Sequence, residues 1–517
     1  MNFPTAFVEQ IKNNLGDEAD AFLNALTMQD ESVSVRINKN KISFPTQLTS
    51  VPWCDTGFYL PQRPSFTLDP LFHSGAYYVQ EASSMFLEQI ILQLELDKRN
   101  CRVLDLCAAP GGKSTHLISL INEESLLVSN EVIRSRTTVL AENMSKWGKP
   151  NYVVTANDAK NFSALENYFD AIICDAPCSG EGLFRKDTDA INEWSEESIM
   201  HCAQRQKRIV ADVWNALKPG GYFIYSTCTF NKKENEDNVK WICETLGAEC
   251  VRIKLNSEWG IVESSGTLIV GEDANHGQQN SETQVVGEDA HHGQRPLVGV
   301  PANQQYGYHF YPHKVKGEGF FTAVLQKKND ESTVHPSIKE KSKQKKNAAT
   351  ISAKEIGNFN QLISQPEIFL FVIENNQTNI FPQQFLNDLE LLKKHLKIIE
   401  FGTSIGELKG KDIIPHHSLA NSLFLNENLF EKINLNLVDA LRYLKGETNF
   451  NLSCDNGWVL VYYQHPSTQK NYPLGFAKKI GNRINNHFPK GRMIRMQIDY
   501  EKIKASDEEA FVYPFKK

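Results

Sequence analysis

Two cysteines follow two separate apolar runs of this 517-residue chain. Cys178 lies in the turn sequence Asp-Ala-Pro-Cys-Ser-Gly that begins at Asp175, and Cys228 ends the run Tyr-Ser-Thr-Cys. The residues before each turn, 171–174 and 221–224, are apolar and rich in β-formers, so we predict a strand there. If both strands belong to one α/β sheet, the thiols and the carboxylate meet at its carboxyl edge, where open α/β folds bind ligands.

Two thiols and a carboxyl form a set that could methylate C5 of a pyrimidine. C5 is not nucleophilic until a thiolate adds to C6, and this covalent step makes C5 enolate-like. A carboxyl near N3 stabilises the charge that develops on the ring, and a second acid or base assists product release. Cys228, Asp175 and Cys178 are therefore the candidate catalytic residues.

The alternative for any free cysteine is a small buried hydrophobic residue. We expect that role for Cys174, Cys202 and Cys243. The neighbours of Cys178 and Cys228 indicate turns at a sheet edge and not a core; they are Pro177, Gly180, Ser226 and Thr227.

A third junction of a strand and a turn has residue types that suit a nucleotide-like cofactor. The predicted strand 103–106 leads into seven residues, Cys107, Ala108, Ala109, Pro110, Gly111, Gly112 and Lys113. Small residues allow the backbone to approach a ligand closely, whereas Cys107 is expected to contribute only its backbone. The pattern is neither G-x-G-x-x-G nor a triphosphate-binding loop.

Carboxylates end the next two predicted strands. Glu131 follows strand 126–130 and is placed to accept both hydroxyls of a ribose. Asp158 follows strand 152–155 and could accept from the exocyclic amine of adenine. Each acid alone would more often cap a helix or end a strand. Together with the small-residue turn they favour an adenosine-bearing cofactor, and S-adenosylmethionine fits better than a dinucleotide.

The elements that must position these residues alternate between strands and helices from 102 to 328, which predicts a mostly parallel sheet with crossover helices. Further strands are predicted at 170–174, 221–226 and 320–325, and helices at 113–121, 135–146, 197–216 and 234–246. Residues 1–95 read as a small α+β domain with helices at 7–15 and 21–26 and a strand at 33–37.

The domain division that we predict has five parts. An N-terminal α+β domain occupies 1–95, a catalytic domain 96–328, a Lys/Ser/Glu/Asn-rich linker 329–349, an intermediate region 350–450 and a final module 451–517. A motif beginning Val-Gly-Glu-Asp-Ala recurs at 270–278 and 286–294. Its histidines and acids could suggest a metal site, but we predict a duplicated solvated loop.

The final module contains a basic stretch from 470 to 497 without Asp or Glu. Its cations are Lys470, Lys478, Lys479, Arg483, Lys490, Arg492 and Arg495, and Tyr472, Phe476 and Phe488 are interleaved. Basic residues with aromatic rings are typical of an RNA-binding surface, although a solvated face over a β core is the simpler alternative.

Bulk composition agrees with a globular protein. The chain is 41% hydrophobic and 23% charged, with 55 Lys and Arg against 62 Asp and Glu and a net charge of −7. Nucleic-acid binding would therefore need a local basic patch. We see no signal peptide and no membrane-length apolar run, and the ten cysteines show no metal-ligand spacing. We expect a cytoplasmic protein with free thiols, without a metal, and monomeric.

The three turn motifs resemble those of the Nol–Nop–Sun family of RNA cytosine-5 methyltransferases. The resemblance rests on 107–113, on 175–180 and on 226–228. Segment 75–85 and the run 311–321 also resemble the start and the closing strand of the family's catalytic domain. The resemblance implies a Rossmann-like methyltransferase sheet that binds S-adenosylmethionine.

Carried over by position, the resemblance implies Cys228 as nucleophile and Cys178 as the thiol that assists product release. It implies that 107–113, Glu131, Asp158 and Asp175 hold the cofactor. Arg136 matches a family arginine whose role the sequence leaves open. The segment 457–496 is similar to a PUA-like RNA-binding module in a bacterial branch that acts on 16S rRNA of the small ribosomal subunit.

Alternatives to 16S rRNA methylation remain at this point. The same chemistry could act on tRNA, because both substrates are folded RNA recognised partly by shape. An RNA-binding ribosome-assembly factor would not need the thiols. A DNA enzyme is a weaker option, since it would place its nucleophile in a Pro-Cys motif such as that of Cys178.

Overall fold

The computed structural model describes residues 3–28, 33–43, 47–267, 304–329, 358–374, 376–410, 412–448, 454–466 and 468–505. Both copies of the repeated motif, 270–278 and 286–294, lie outside these residues, as does most of the predicted linker. Among the described residues, no helix has the length and apolar character needed to cross a membrane.

The N-terminal region combines helices with a four-stranded antiparallel sheet in the order β2-β3-β1-β4. Its elements are α1 (Thr5–Leu15), α2 (Ala19–Thr27), β1 (Val33–Ile37), β2 (Thr49–Val51), β3 (Cys54–Leu60), α3 (Pro70–His73), β4 (Tyr77–Val79) and α4 (Leu87–Gln93). Apolar residues at helical spacing give α1 and α2 one buried face each, and these faces pack against Phe184, Trp194 and Phe230 of the next region.

The central region is the predicted mostly parallel sheet. Its elements are β5 (Arg102–Asp105), α5 (Gly112–Leu120), β6 (Leu126–Asn130), α6 (Arg134–Trp147), β7 (Tyr152–Thr155), β8 (Phe169–Asp175), α7 (Thr188–Glu193), α8 (Glu196–Val213), β9 (Leu217–Thr227), α9 (Glu236–Leu246), β10 (Ala248–Cys250), β11 (Val262–Thr267), β12 (Gln304–Phe310) and β13 (Phe320–Lys327). The Rossmann-like prediction is confirmed: β7, β6, β5, β8 and β9 run parallel in that spatial order.

The predicted strands and helices of this region agree with the structure to within a few residues. Strand β9 begins at Leu217, four residues early, because the Pro-Gly-Gly step continues the strand with a register shift. Helix α8 ends at Val213, and a short 3₁₀ turn takes the last residues of the predicted helix. Strand β13 returns antiparallel to β9, and β12 and β11 continue the sheet beyond it.

The C-terminal region forms two further four-stranded sheets. The part of the chain that forms the first sheet contains β14 (Phe369–Glu374), β15 (Gln377–Pro382), α10 (Leu386–His395), β16 (Ile398–Phe401), β17 (Thr403–Lys409), β18 (Asp412–Pro415) and α11 (His417–Asn421). The second contains β19 (Glu431–Leu435), α12 (Leu437–Leu444), β20 (Gly457–Gln464), β21 (Asn471–Ile480), β22 (Arg483–Asn486) and α13 (Tyr500–Ala505). The predicted domain boundaries stay predictions, although this last sheet already begins at Glu431.

Strand β16 belongs to neither C-terminal sheet. It pairs antiparallel with β7 and so extends the catalytic sheet at its edge. Phe401 of β16 and Leu389 and Leu392 of α10 are buried in the same core cluster as strand residues of β5 and β8. The C-terminal region therefore completes the catalytic core, a long-range pairing that no local pattern indicates.

Candidate active site

The structure brings the two predicted thiols together. Strands β8 and β9 are parallel neighbours in which Asp175 is paired with Ser226, so the turns that follow them lie side by side. Cys178 Sγ lies 3.1 Å from Cys228 Sγ, and the Cys228 backbone N–H donates to Cys178 Sγ at 3.4 Å. Both cysteines are half-buried. Two thiols at one sheet edge are thus close enough to exchange a proton.

The surroundings of Cys178 favour its neutral thiol. The hydrogen bond with the Cys228 sulfur, followed by burial, raises the pKa of the Cys178 thiol well above its usual value, and the hydrogen bond from the Cys228 backbone N–H acts in the opposite direction. Either sulfur can donate in the contact between the two thiols.

Asp175 is fixed by two partners at the same edge. Lys113 Nζ donates to Asp175 Oδ2 at 2.7 Å, and Ser226 Oγ donates to Oδ1 at 2.9 Å. Burial alone would lower the pKa of the Lys113 ammonium, but Asp175 raises it above its ordinary value, with smaller contributions from Asp105 and Cys228. A charged ammonium therefore stands next to the carboxylate and near the thiols.

A cavity of about 200 Å³ opens beside this ion pair. Its lining includes most of the predicted cofactor residues: Cys107, Ala108, Ala109, Pro110, Gly112, Lys113 and Asp175. Gly111 faces the other side of the turn with φ 113°, where an added Cβ would lie 3.3 Å from Leu140 of α6. Glycine is thus needed at 111 for the left-handed backbone and for close packing of the turn on α6.

Glu131 and Asp158 end consecutive strands as predicted, but neither lines the cavity. Glu131 Oε1 accepts the backbone N–H of Ile133 at 2.8 Å. Arg136 Nη1 lies 3.5 Å from Glu131 Oε2, and Arg136 Nη2 donates to the carbonyl of Ala109 at 2.7 Å. Arg136, whose role the sequence left open, thus joins Glu131 to the turn 107–113. Asp158 accepts from the Lys160 N–H at 3.2 Å and caps a short helix.

Sequence reasoning missed the other wall of the cavity. It comes from the end of β4 and the turn after it, and consists of Tyr78, Val79, Gln80, Glu81 and Ser84. These residues lie within the segment 75–85 that resembles the family, but no residue type in it signalled a binding role. Only the packing of the N-terminal sheet on α5 makes them neighbours of the turn.

One buried arginine joins the two walls. Arg36 Nε donates to Gln80 Oε1 at 2.8 Å, and its Nη2 donates to Thr115 Oγ1 at 2.6 Å and to the carbonyl of Gly112 at 3.3 Å. Its guanidinium also lies over the Trp147 ring, 4.6 Å from the centroid. Because α5 begins in the turn 107–113, this side chain fixes the position of Gln80 relative to Gly112.

A buried cluster joins Cys54 of β3, Glu88 of α4 and His116 of α5, with side-chain N, O and S atoms that lie within 4.8 Å of one another. Cys54 Sγ donates to Glu88 Oε2 at 3.1 Å, and His116 Nε2 is 3.0 Å from the same oxygen. These residue types could hold a metal ion. In the structure they bond to one another, and the charge of buried Arg36 acts on both Cys54 and Glu88.

The turn that carries Cys178 is held from beneath by Glu234. Its carboxylate accepts from the backbone N–H of Ser179 at 3.0 Å, from Ser179 Oγ at 2.5 Å and from Gln206 Nε2 at 2.8 Å. Gln206 also donates to the carbonyl of Pro177 at 3.0 Å. Burial raises the pKa of Glu234 to about 6. Neither residue is marked by its sequence context.

The other cysteines divide unevenly. Cys174 is fully buried, as predicted, but the prediction for Cys202 and Cys243 is wrong, because both are only half-buried. Cys243 lies on the outer helix α9 with its sulfur 3.6 Å from that of Cys250. Cys107 is half-buried and lines the cavity.

The basic stretch of the last sheet is exposed only in part. Lys470, Arg483, Lys490 and Arg495 are exposed, whereas Arg492 is largely covered and donates to Ser145 Oγ of α6 at 3.1 Å. The interpretation of the interleaved aromatic residues is wrong, since Tyr472, Phe476 and Phe488 are buried. Strand β21 is covered on both faces, and Tyr472 and Phe476 are buried in two different core clusters, so neither ring presents a face to a base.

Comparison with known proteins gives matches along most of the chain. A family model described as 16S rRNA methyltransferase RsmB/F matches residues 90–326. Models for the N-terminal domain of 16S rRNA methyltransferase RsmF and for the methyltransferase RsmF PUA domain match residues 3–82 and 430–494.

Curated relatives match most of the length of the chain. Ribosomal RNA small subunit methyltransferase F of Vibrio vulnificus (strain YJ016) is 30% identical over 94% of this chain and 97% of the relative. The protein of the same name from Aeromonas hydrophila is 31% identical over 88% and 90%. Among solved structures, a methyltransferase homolog protein from Pyrococcus horikoshii is 26% identical, covering 63% of this chain and 96% of its own, with a TM-score of 0.48.

Proposed function

Because the chain belongs to the family of ribosomal RNA small subunit methyltransferase F, whose members are S-adenosylmethionine-dependent, we propose that it forms 5-methylcytosine in 16S rRNA. The proposed route is a covalent adduct between Cys228 and C6 of the cytosine. The observation that carries the proposal is the thiol pair, 3.1 Å apart, at the edge that also holds the Lys113–Asp175 ion pair.

The residues around the cavity fit S-adenosylmethionine. Small side chains at Ala108 and Ala109 leave the backbone accessible along the cavity wall, and Lys113 and Asp175 place polar groups at its edge. The proposed holding residues are 107–113, Glu131, Asp158 and Asp175, joined by Gln80 and Glu81 from the opposite wall. When bound, the cofactor supplies an electrophilic methyl group.

The protein's own residues carry the remaining steps. Cys228 Sγ, as a thiolate, forms a bond to C6 while the C5–C6 double bond opens, and the negative charge that develops on the ring is stabilised by the Lys113 ammonium, which Asp175 holds in place. After the methyl group is in place, removal of the C5 proton re-forms the C5–C6 double bond and breaks the bond between Cys228 and C6. Cys178 lies within reach of the departing sulfur: its proton passes to Cys228, and the Cys178 sulfur takes up the proton from C5.

The roles of the two thiols can be tested with single substitutions. We expect Cys178→Ala to accumulate a covalent RNA–protein adduct, visible as a slow band on a denaturing gel, because the departing sulfur lacks its proton donor. Cys228→Ala should form no adduct and transfer no methyl group. Cys202→Ala, a half-buried cysteine outside the thiol pair, is the matched control and should behave like the wild type. The reverse pattern of adducts would exchange the two roles.

The substrate can be tested with RNA from cells that lack this protein. Labelled S-adenosylmethionine is supplied with total RNA, with isolated small subunits and with purified tRNA. We expect label in 5-methylcytosine of 16S rRNA. Label only in tRNA would overturn the substrate but keep the chemistry. Cofactor binding without transfer to any RNA would replace catalysis by a role in ribosome assembly.

The final sheet is proposed to contact the RNA backbone through its exposed cations. Lys470, Arg483, Lys490 and Arg495 would neutralise phosphates, whereas half-buried Arg492 fixes the module on α6. Binding through phosphates weakens steeply as salt rises, and each neutralised phosphate adds roughly one unit to the slope of log affinity against log salt concentration. Removing one exposed lysine should therefore lower that slope while leaving the choice of sequence unchanged.

A further inference from the structure

Leu183 is a partly exposed apolar side chain on the segment that follows the Cys178 turn. It is 45% exposed, whereas its neighbour Phe184 is fully buried. The two residues follow Cys178 in the segment 180–186, here called the thiol-side loop. A single exposed leucine on a protein surface is ordinary. Leu183 differs because its segment is hydrogen-bonded to the backbone of Cys228.

The thiol-side loop continues directly from the Cys178 turn and is anchored to the backbone of the Cys228 turn. The N–H of Gly182 donates to the carbonyl of Cys228 at 2.8 Å, and the N–H of Leu183 donates to the carbonyl of Gly180 at 2.8 Å. A Cβ built on Gly180 would lie 3.4 Å from Leu183 Cδ1, so the leucine side chain covers the residue two positions after Cys178.

Buried contacts prevent the loop from moving away. Phe184 packs edge-on against Phe7 of α1, with ring centroids 5.1 Å apart. Glu181 is fully buried and accepts from Trp194 Nε1 at 3.0 Å and from the Phe230 N–H at 2.9 Å. The exposed Leu183 is therefore held rigidly in position relative to Cys228.

Positive charge stands on the same loop. Lys186 is 37% exposed and lies 3.5 Å from the buried carboxylate of Glu318. Arg185 donates to the carbonyl of Gly317 at 3.0 Å, which joins the loop to the closing hairpin. The apolar side chain of Leu183 suits the bases inside a duplex, and the ammonium of Lys186, three residues further on, suits the phosphates outside it.

We propose that Leu183 enters the base stack of a paired RNA and fills the place vacated by the target cytosine. The inference rests on the proposed function, because Cys228 can reach C6 only after the cytosine leaves its stack. Unstacking has a free-energy cost, and proteins that bend or open duplexes insert apolar side chains between bases to offset it. Leu183 is thus a positioning residue for this reaction.

The test compares Leu183→Ala on two RNAs that differ only in pairing. One is a hairpin with the target cytosine in its stem, and the other carries the same strand unpaired. Leu92→Ala is the matched control, a leucine 37% exposed on α4. We expect Leu183→Ala to lower kcat/KM on the paired RNA by about ten- to a hundredfold and to leave the unpaired RNA within about twofold of wild type.

Other outcomes separate the two proposals. Equal losses on both RNAs would show a structural role for Leu183 and overturn its proposed entry into the base stack. The absence of a loss on the paired RNA would also overturn it. Leu183→Met, which keeps an apolar tip, should restore the paired substrate. If the wild type itself formed no 5-methylcytosine on either RNA, the proposed function would fail, and the proposed role of Leu183 would fail with it.

Discussion

Replacing Phe401 by alanine should destabilise the whole catalytic domain, although this residue lies 73 positions beyond the predicted end of that domain at 328. Phe401 is 2% exposed at the end of β16, the strand that pairs with β7. Its ring packs edge-on against Phe381, with centroids 5.7 Å apart, and Lys393 lies over it at 4.6 Å.

The expected loss follows from the burial of the ring. Truncating a buried phenylalanine to alanine costs about 3–5 kcal/mol, because apolar burial is lost and a cavity remains. A domain is typically stable by only about 5–15 kcal/mol. Phe401→Ala should thus remove a large share of the stability of the sheet. The ladder to β7 and the 2.5 Å hydrogen bond from Tyr152 to Glu400 would remain.

Urea unfolding followed by tryptophan fluorescence and by residual methyl transfer measures this effect. Both signals should fall at a lower urea concentration in Phe401→Ala than in the wild type. Ile399→Ala, on the same strand but 41% exposed, is the matched control and should stay within about 0.5 kcal/mol of wild type. If the two variants unfolded alike, the C-terminal region would be an attached module and not part of the core.

Two further predictions concern the loops around the thiols. Since Glu234 has a pKa of about 6, its carboxylate should lose its charge, and its grip on Ser179, as pH falls through that value. Methyl transfer should decline over the same interval, and Glu234→Gln should show a lower rate without that decline; identical pH profiles would refute the assignment. Gly182→Ala should reduce the rate while circular dichroism stays unchanged, because a Cβ there would lie 2.9 Å from the Cys228 carbonyl oxygen. Gly491→Ala, with nothing within 4 Å, is its control, and equal activity of the two variants would contradict the expected clash.

A pH change acts on stability in two opposing ways. Burial lowers the pKa of His73, His116 and His416 to about 4, so protonation of the unfolded chain removes stability as pH falls below about 6.5. Burial raises the pKa of Asp69 and Asp105 to about 7, so those two acids add stability over the same interval. The unfolding curve should therefore be measured at each pH, so that the decline in activity predicted from Glu234 can be separated from a change in stability.

The local chemistry of the site was readable from residue types. A turn needs small residues where a ligand meets the backbone, and thiols after two strands imply one sheet edge, because parallel strands present their carboxyl ends together. These rules depend on short segments and on strand order. The sequence thus predicted Cys228, Cys178, Asp175 and the turn 107–113, and the structure brings the two thiols together and places Asp175 beside Lys113 of the turn.

Interpretations that depend on side-chain direction failed in part. The composition of the basic stretch predicts that its aromatic residues contact RNA, but β21 is covered on both faces and buries Tyr472 and Phe476 in two different core clusters. Half-buried Cys202 and Cys243 lie on amphipathic helices, where one position decides between core and solvent. A one-dimensional pattern does not state which face the remainder of the protein covers.

The sequence by itself therefore determined the fold class, and it predicted the turn 107–113 and the two thiols as site residues, because each depends on local composition and spacing. Tertiary structure alone decided which residues complete the site. Gln80 and Glu81 reach the cavity through packing of the N-terminal sheet, Glu234 supports the Cys178 turn from another helix end, and β16 arrives from a distant region to extend the sheet. Contacts between segments distant in the sequence are set by how whole surfaces pack, and no local pattern encodes them.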